Sequence, residues 1–556
     1  MRIALAQINS TIGDFAGNQK KILDFAWKAK NDDLADLILF PELSLCGAPP
    51  LDLLENKQFT DHNMKAIREL QDSLPEELAA GIGYVKQSPY SGGRLLNAYG
   101  IIHNHELIFE QYKMTILRHD YFDQTRYFDS GRNLGIFDYQ GERLGILPGE
   151  DAWQETLAEK NDDETFAVRE LAGRGISMLC VPCASPFIAG NSKIRGEKAD
   201  RIAVRYGIPV MYINAAGAND SVIFDGRSFV HTAVKNKTNT TMKAKIFEED
   251  MIVWNHPNGN TNIEIQNPAD EQDETEKALI LGIRDYMKKC GFAKAHLGLS
   301  GGIDSALVAW LAAKAIGVEN VVCFNMPSRF SSQGSKDDSR ELAVNLGCRY
   351  EVLPIDPVYD ACLSALENVF ENRPFDVAEE NLQARIRGVL WMGYANKFNS
   401  MLLAAGNKSE LAMGYCTLYG DTNGALAPIG DLFKTEVFAM CKRINERSLK
   451  TTGKKPIPQN IIDKPPSAEL RPGQTDQDSL PPYETLDEIL KLILYENKSP
   501  EEIAERGFEK DMVNKITRTI IRSEWKRRQT PPVLKVSRKA FGVGRNQPLA
   551  RAIFET

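Results

Sequence analysis

Short aliphatic segments bounded by Gly, Pro or Asp alternate with helical stretches along this chain, and they do so in two separate rounds. The first round carries strand patterns beginning at Arg2, Asp36, Ala79, Leu144, Ser177 and Val210, with a helical pattern over 18–30 between the first two. The second opens with a helix near Glu276 and continues with strands at Ala295, Asn320, Arg349 and Met401, with helices starting at Asp304 and Ser335. Strand–helix–strand alternation predicts α/β architecture, and in the second round a doubly wound parallel sheet that binds ligands at the carboxyl ends of its strands. Residues 255–275 between the rounds are polar, with Pro, Gly and many acids, as a linker would be. With 556 residues the chain exceeds what one core supports. The expected division is 1–260, a linker over 261–275, and 276–556, with a lid over 447–483 whose Pro-rich part shows no periodicity.

Bulk properties exclude several classes. A net charge of -8 argues against nucleic-acid partners. No apolar run is long enough to span a bilayer, so no membrane is expected. The opening MRIALAQINS runs straight into a strand pattern and does not read as a signal peptide. Nine scattered cysteines suit a reducing compartment, and the expected location is cytoplasmic.

The strongest local signal is Gly298-Leu299-Ser300-Gly301-Gly302-Ile303-Asp304-Ser305, between a strand and a helix. Adjacent glycines admit a phosphate close to the backbone, and the helix start offers free N–H groups and a favourable dipole. Ser300 and Ser305 add hydroxyls, and Asp304 suits the magnesium that travels with a nucleotide. No Lys follows the glycines, so this is not a Walker-type loop. The same residues match the G-x-S-x-G elbow of hydrolases, which needs a later histidine. The seven histidines end at His296, so the chain order rules that reading out.

The SGGIDS loop resembles that of the ATP pyrophosphatases, which cleave ATP between its α and β phosphates. Glu380-Asn381-Leu382-Gln383-Ala384-Arg385-Ile386-Arg387, Gly406-Asn407-Lys408-Ser409-Glu410, Tyr419-Gly420-Asp421, Lys434-Thr435-Glu436, Asp463-Lys464-Pro465-Pro466-Ser467-Ala468-Glu469-Leu470 and Trp525-Lys526-Arg527-Arg528 resemble the NAD synthetases among them. The resemblance implies a ligase that amidates the nicotinate carboxylate of deamido-NAD at the expense of ATP, through an adenylate. It also implies that residues 298–305 and Arg385 meet ATP, that Asp304 and Glu410 hold Mg2+, and that Asn381, Glu410 and Lys526 contact deamido-NAD. That family usually carries Thr where this chain has Ala405, a neutral hydrogen bond to ATP of about 0.5–1.5 kcal/mol. Homo-oligomers are implied as well.

The first half resembles the nitrilase-like amidases, an αββα sandwich. In glutamine-dependent NAD synthetases this half hydrolyses glutamine with a Glu-Lys-Cys triad. Glu42 and Lys113 match the base and the lysine. The nucleophile should be the Cys of an I-C-E-D-x-W motif, yet the chain reads Leu147-Pro148-Gly149-Glu150-Asp151-Ala152-Trp153. Glycine has no side chain and forms no thioester. Two positions of the implied glutamine pocket also differ, His119 and Asn191, whereas Ser185 and Arg195 are retained. The expectation is therefore a synthetase fed by ammonia, free or supplied by a partner. The alternatives are glutamine-dependent synthesis and a silent nucleotide-binding scaffold. Cys46 is the nearest thiol in sequence to Glu42, and Cys180 and Cys183 form a C-x-x-C whose strand setting turns the two thiols to opposite faces.

Overall fold

In β1 (Arg2–Gln7) Ile3 and Leu5 join one hydrophobic cluster while Ala4 and Ala6 join another, as extended backbone requires. Every residue of this strand beyond Ile3 is buried, so both of its faces are covered. The same layering extends through the N-terminal unit of this computed structural model, which describes residues 1–89, 93–119, 121–153, 166–234, 237–257 and 271–552. The chain divides into two units, Met1–Glu271 and Gln272–Thr556.

The N-terminal unit holds two six-stranded sheets. The strands of these two sheets are β1, β2 (Leu37–Leu39), β3 (Ala79–Gln87), β4 (Leu95–His103), β5 (Glu106–Tyr112), β6 (Ile136–Tyr139), β7 (Glu142–Ile146), β8 (Met178–Cys183), β9 (Val210–Asn214), β10 (Phe229–Val234), β11 (Lys237–Lys243) and β12 (Asp250–Asn255). The sheet orders are β12-β1-β2-β3-β4-β5 and β11-β10-β9-β8-β7-β6. The inner faces meet in a core that includes Leu5, Leu39 and Ile101 from the first sheet and Ile146, Cys180 and Ile213 from the second. The outer face of the first sheet packs on α1 (Phe15–Asn31) and α2 (Lys57–Ser73). That of the second packs on α3 (Phe166–Gly173) and α4 (Asn191–Tyr206). This is the αββα sandwich. Cys180 and Cys183 fall in different clusters, on the two faces of β8.

All six strands read from the sequence in this half are present, and among the described residues six more complete the two large sheets. Two of those missed differ in burial: β4 is buried along all but its last residue, whereas β5 is largely open on one face. In β5, ELIFEQY, most side chains are partly or fully exposed, so the segment lacks the continuous aliphatic run of a doubly covered strand.

The C-terminal unit opens with α5 (Glu271–Lys289), so residues 271–275 of the expected linker are helical, and 261–270 lie outside the described residues. A four-stranded parallel sheet follows, of β13 (Lys294–Gly298), β14 (Val321–Asn325), β15 (Arg349–Val352) and β16 (Ser400–Leu402), in the order β15-β14-β13-β16. The crossover helices α6 (Ile303–Ile316) and α7 (Gln333–Leu346) join its first strands. The order reverses direction at β13, which places a crevice beyond its carboxyl end. Three further helices frame that end: α8 (Val377–Phe398), α9 (Lys408–Met413) and α10 (Lys434–Thr452). Because α10 runs to Thr452, the first six residues of the expected 447–483 lid are helical. Past Gly453 the Pro-rich stretch forms only short turns, Gln459–Asp463 and Asp476–Asp478. Among the described residues no helix is long and apolar enough to cross a membrane.

Candidate active sites

The phosphate-type loop leaves β13 and enters α6 through its own hydrogen bonds. Ser300 Oγ accepts from Gly302 N at 3.1 Å, and Ser305 Oγ donates to Gly302 O at 3.0 Å. Gly301 sits at φ +79, and a Cβ there would lie 2.3 Å from the carbonyl oxygen of Ser335, so only glycine fits. The loop is thereby pinned against the start of α7. His296 hydrogen-bonds Ser400 Oγ on β16, away from Ser300, so the hydrolase constellation is absent in geometry as well as in chain order.

A cleft of about 300 Å³ lies over this loop. Gly298, Leu299, Ser300, Gly302, Ile303, Asp304 and Ser305 line it together with Ala405, Glu410 and Lys434. Asp304 and Glu410 come from α6 and α9, and both reach the same ammonium: Lys434 Nζ contacts Asp304 Oδ2 and lies 3.0 Å from Glu410 Oε1. Asn407 Nδ2 donates to the other Asp304 oxygen at 2.9 Å and caps α9. Burial raises the Glu410 carboxyl to about 8 despite Lys434, with Asp304 and Asp476 adding to the rise. The site is short of positive charge. Among the described residues no three acidic, His or Cys side chains form a ready metal cage. Two convergent carboxylates beside a phosphate loop nonetheless fit a hard divalent cation that keeps oxygen ligands from its substrate.

The far wall comes from the Pro-rich stretch. Glu469 accepts from Ser332 N and from the hydroxyls of Ser332 and Ser335 at the start of α7. Lys464 Nζ donates to Ser335 Oγ at 2.7 Å. Lys464, Pro466 and Leu470 line the cleft.

Asn381, Arg385 and Lys526 gather around one neighbouring segment instead. Asn381 Oδ1 accepts from Thr417 Oγ1 at 2.6 Å, Arg385 Nε donates to Leu418 O at 3.3 Å, and Lys526 Nζ donates to Gly414 O and Cys416 O at 2.8 Å each. Tyr415 and Cys416 of that segment form part of the cleft wall, so the two groups share a partition. Arg387 and Lys434 were quoted within motifs without a role, yet both line the cleft. Burial lowers the Arg387 guanidinium to about 10. Lys408 is different: fully buried with Asp431, it ties α9 to the C-terminal segment and faces no ligand space.

In the N-terminal unit three distant segments meet. Lys113 Nζ donates to Glu42 Oε1 at 2.8 Å and pairs with Glu150 at 2.6 Å, and Asn97 Nδ2 donates to the same Glu42 oxygen at 2.6 Å. Lys113 loses solvation by burial, yet Glu150 and Glu42 hold its ammonium above the usual range. A Cβ built on Gly149 would lie 2.9 Å from both Glu42 Oε2 and Lys113 Nζ. The position that the resemblance gives to the nucleophile thus lies beside both side chains, and glycine brings no side chain there. Neither Asn97 nor Glu150 carried a role in the sequence reading; only their partners' motifs could have pointed to them.

No neighbouring thiol substitutes. Cys46 is enclosed, its thiol directed at the carbonyls of Leu43 and Gly47, and burial pushes it up to about 12. Beside Glu42 and Lys113 remains a cavity of only about 30 Å³, walled by Leu54, Tyr121, Phe122 and Tyr127 among others. Ser185 and Asn191 are buried and do not line it. Arg195 pairs with Asp225 in the interior. The side chain of His119 lies outside the described residues.

Comparison with known proteins follows the same division. The carbon-nitrogen hydrolase family matches residues 2–234, and the NAD synthase family matches residues 276–530. A glutamine-dependent NAD(+) synthetase of Synechocystis sp. is 41% identical over 99% of this chain and 98% of its own. One from Rhodobacter capsulatus is 38% identical over the same shares. A solved structure of the glutamine-dependent NAD+ synthetase from Acinetobacter baumannii, in complex with ADP, superposes with a TM-score of 0.77 at 33% identity, covering 99% of this chain and 98% of that one.

Proposed function

Because this chain belongs to the glutamine-dependent NAD(+) synthetase family, we propose that it forms NAD from deamido-NAD and ATP with ammonia, not glutamine, as its nitrogen source. NAD synthetases are ligases that join carbon to nitrogen, with ATP as co-substrate. The observation that carries the nitrogen assignment is Gly149, set between Glu42 and Lys113 without a side chain.

A carboxylate is a poor acyl donor because oxide would have to leave. Transfer of AMP from ATP to the nicotinate carboxylate expels pyrophosphate and leaves a mixed anhydride. Ammonia then attacks the acyl carbon, AMP departs with the anhydride oxygen, and a proton is lost. The loop 298–305 would cradle the phosphates with backbone N–H groups and the hydroxyls of Ser300 and Ser305. Lys434, held between Asp304 and Glu410, would supply fixed positive charge where the phosphoryl group builds negative charge. Asp304 and Glu410 would hold Mg2+, whose charge neutralises the phosphate oxygens. Asn381, Glu410 and Lys526 would bind deamido-NAD, and Arg385 would meet nucleotide charge. Ala405 gives up one hydroxyl contact to ATP and leaves the chemistry intact.

The glutaminase half-reaction lacks its nucleophile, and the small cavity beside Lys113 gives glutamine little room. Glu42 and Lys113 then remain as a charge pair without a thiol to activate. Ammonia would come from solution or from a partner enzyme, and the protein would act as a homo-oligomer. The test is pyrophosphate and NAD release from deamido-NAD, ATP, Mg2+ and ammonium. Stoichiometric NAD, AMP and pyrophosphate support the reading. ATP binding without turnover would make the chain a nucleotide-binding scaffold.

A further inference from the structure

Among the described residues, four cationic side chains line the cleft over the 298–305 loop, and they differ in what the protein already gives them. Lys434 is shared by Asp304 and Glu410. Lys464 donates to Ser335 Oγ and lies 3.6 Å from Asp338. Arg387 donates through Nε to the carbonyl of Met326. Lys336 is the fourth, and among the described residues its ammonium has neither a hydrogen bond nor an ion pair.

The place of Lys336 follows from the loop. Gly301 lies against the backbone of Ser335, where a Cβ would come within 2.3 Å of the Ser335 carbonyl oxygen. Lys336 is the next residue, near the start of α7, partly buried and on the cleft wall. The helix dipole does not favour a cation at that end, so the helix itself gains nothing from the charge.

An unpaired ammonium on a flexible stem beside a phosphate loop suits a polyphosphate. Most of the negative charge of ATP sits on its terminal pair of phosphates, and it departs with them. In the adenylation step a carboxylate oxygen bonds to the α-phosphorus. The bond from that phosphorus to the bridging oxygen breaks, and its electron pair leaves on pyrophosphate. Fixed positive charge at the departing group stabilises this step. Lys434 is already divided between two carboxylates, whereas the charge of Lys336 is uncommitted.

We infer that Lys336 is a binding residue for the departing pyrophosphate, its ammonium donating to the terminal phosphates while the 298–305 loop cradles them. The inference rests on the proposed NAD synthesis and goes past it, to a residue outside every motif that the sequence resemblance used.

The test titrates the full-length chain, with Mg2+ present, calorimetrically with pyrophosphate and separately with AMP. Lys336→Met keeps the apolar stem and removes the charge, and Lys336→Arg keeps the charge. Pyrophosphate binding is expected to weaken roughly tenfold or more in Lys336→Met, with AMP binding unchanged. Lys336→Arg is expected to stay within about threefold of the wild type, because a point charge suffices for phosphate. In turnover, inhibition by added pyrophosphate should weaken in step with binding. Equal pyrophosphate affinity in the wild type and Lys336→Met overturns the inference. So does equal loss of AMP and pyrophosphate binding, or Lys336→Arg as weak as Lys336→Met, since packing and not charge would then be at work. NAD synthesis from ammonium by the wild type is measured in parallel. Pyrophosphate binding that depends on Lys336 without any synthesis refutes the proposed function and leaves the site standing. Synthesis with pyrophosphate binding indifferent to Lys336 refutes the site alone.

Discussion

At Gly149 the backbone stands at φ +55, in the left-handed region where a Cβ is strained by about 1–2 kcal/mol. A Cβ there also presses on Glu42 and Lys113, so Gly149→Cys is expected to lower stability by roughly that amount in urea unfolding. Restoring the thiol does not reopen the cavity. The variant should therefore gain iodoacetamide reactivity while glutamine-dependent synthesis stays below about a hundredth of the ammonium-dependent rate. The opposite outcome would show that the pocket survived. Asp151, two residues on, accepts backbone N–H bonds from Met114 and Thr115, yet burial pushes its carboxyl up from 3.8 to about 7. A carboxyl whose folded pKa is raised holds its proton in the folded state after the unfolded chain has lost it. Stability from this group is thus full below about pH 4 and falls as pH rises toward 7, by roughly 4 kcal/mol. Asp151→Asn should flatten that dependence, which urea titrations at pH 5 and pH 8 would show. In the other unit, Lys434→Met leaves Asp304 and Glu410 facing each other without their cation. Its kcat is expected to fall roughly 10²-fold or more, with ATP-dependent pyrophosphate release as the assay.

Among the elements, the Pro-rich stretch after α10 is tied to the start of α7 through Glu469 and Lys464, beside further ties such as Gln383 to Leu470 O. Glu469 supplies the acceptor for three donors at the start of α7, and Lys464 adds a fourth contact through Ser335. Glu469→Ala should cost about 1 kcal/mol, because these donors lose a shared acceptor. It should also raise deuterium uptake over 464–476 while uptake in α6 is unchanged; equal uptake would mean other contacts hold the stretch. The elements differ in how much of them the sequence discloses. β13, the 298–305 loop and α6 are legible because a doubly covered strand, a glycine pair and a helix start each leave a local signature. β5 and β10 are not, since half their side chains answer to solvent or to a partner strand. The convergence of Glu42, Lys113 and Gly149 was expected only through resemblance, because 36 and more residues separate each from the next. The ion pair to Glu150, the bond from Asn97 and the bridging place of Lys434 depend on tertiary geometry that no local pattern encodes.

For the whole molecule, the two units differ in what their sites hold. The nucleotide unit keeps its loop, its paired carboxylates and its lysine in contact. The amidase-type unit keeps its sandwich and holds Glu42 and Lys113 in contact, with Gly149 beside both. Retention of the fold without the thiol costs nothing in core packing, since Gly149 is at the rim of the ion pairs and the hydrophobic clusters on both faces of the second sheet are filled. The measurement that bears most directly on this account supplies one protein with both nitrogen sources at once. Deamido-NAD, ATP and Mg2+ are incubated with unlabelled ammonium and amide-15N glutamine, and the carboxamide of the NAD formed is read by mass spectrometry. The account predicts NAD whose amide nitrogen is all 14N. Incorporation of 15N would mean that glutamine is hydrolysed without a cysteine at residue 149, and the reading of that position would be wrong.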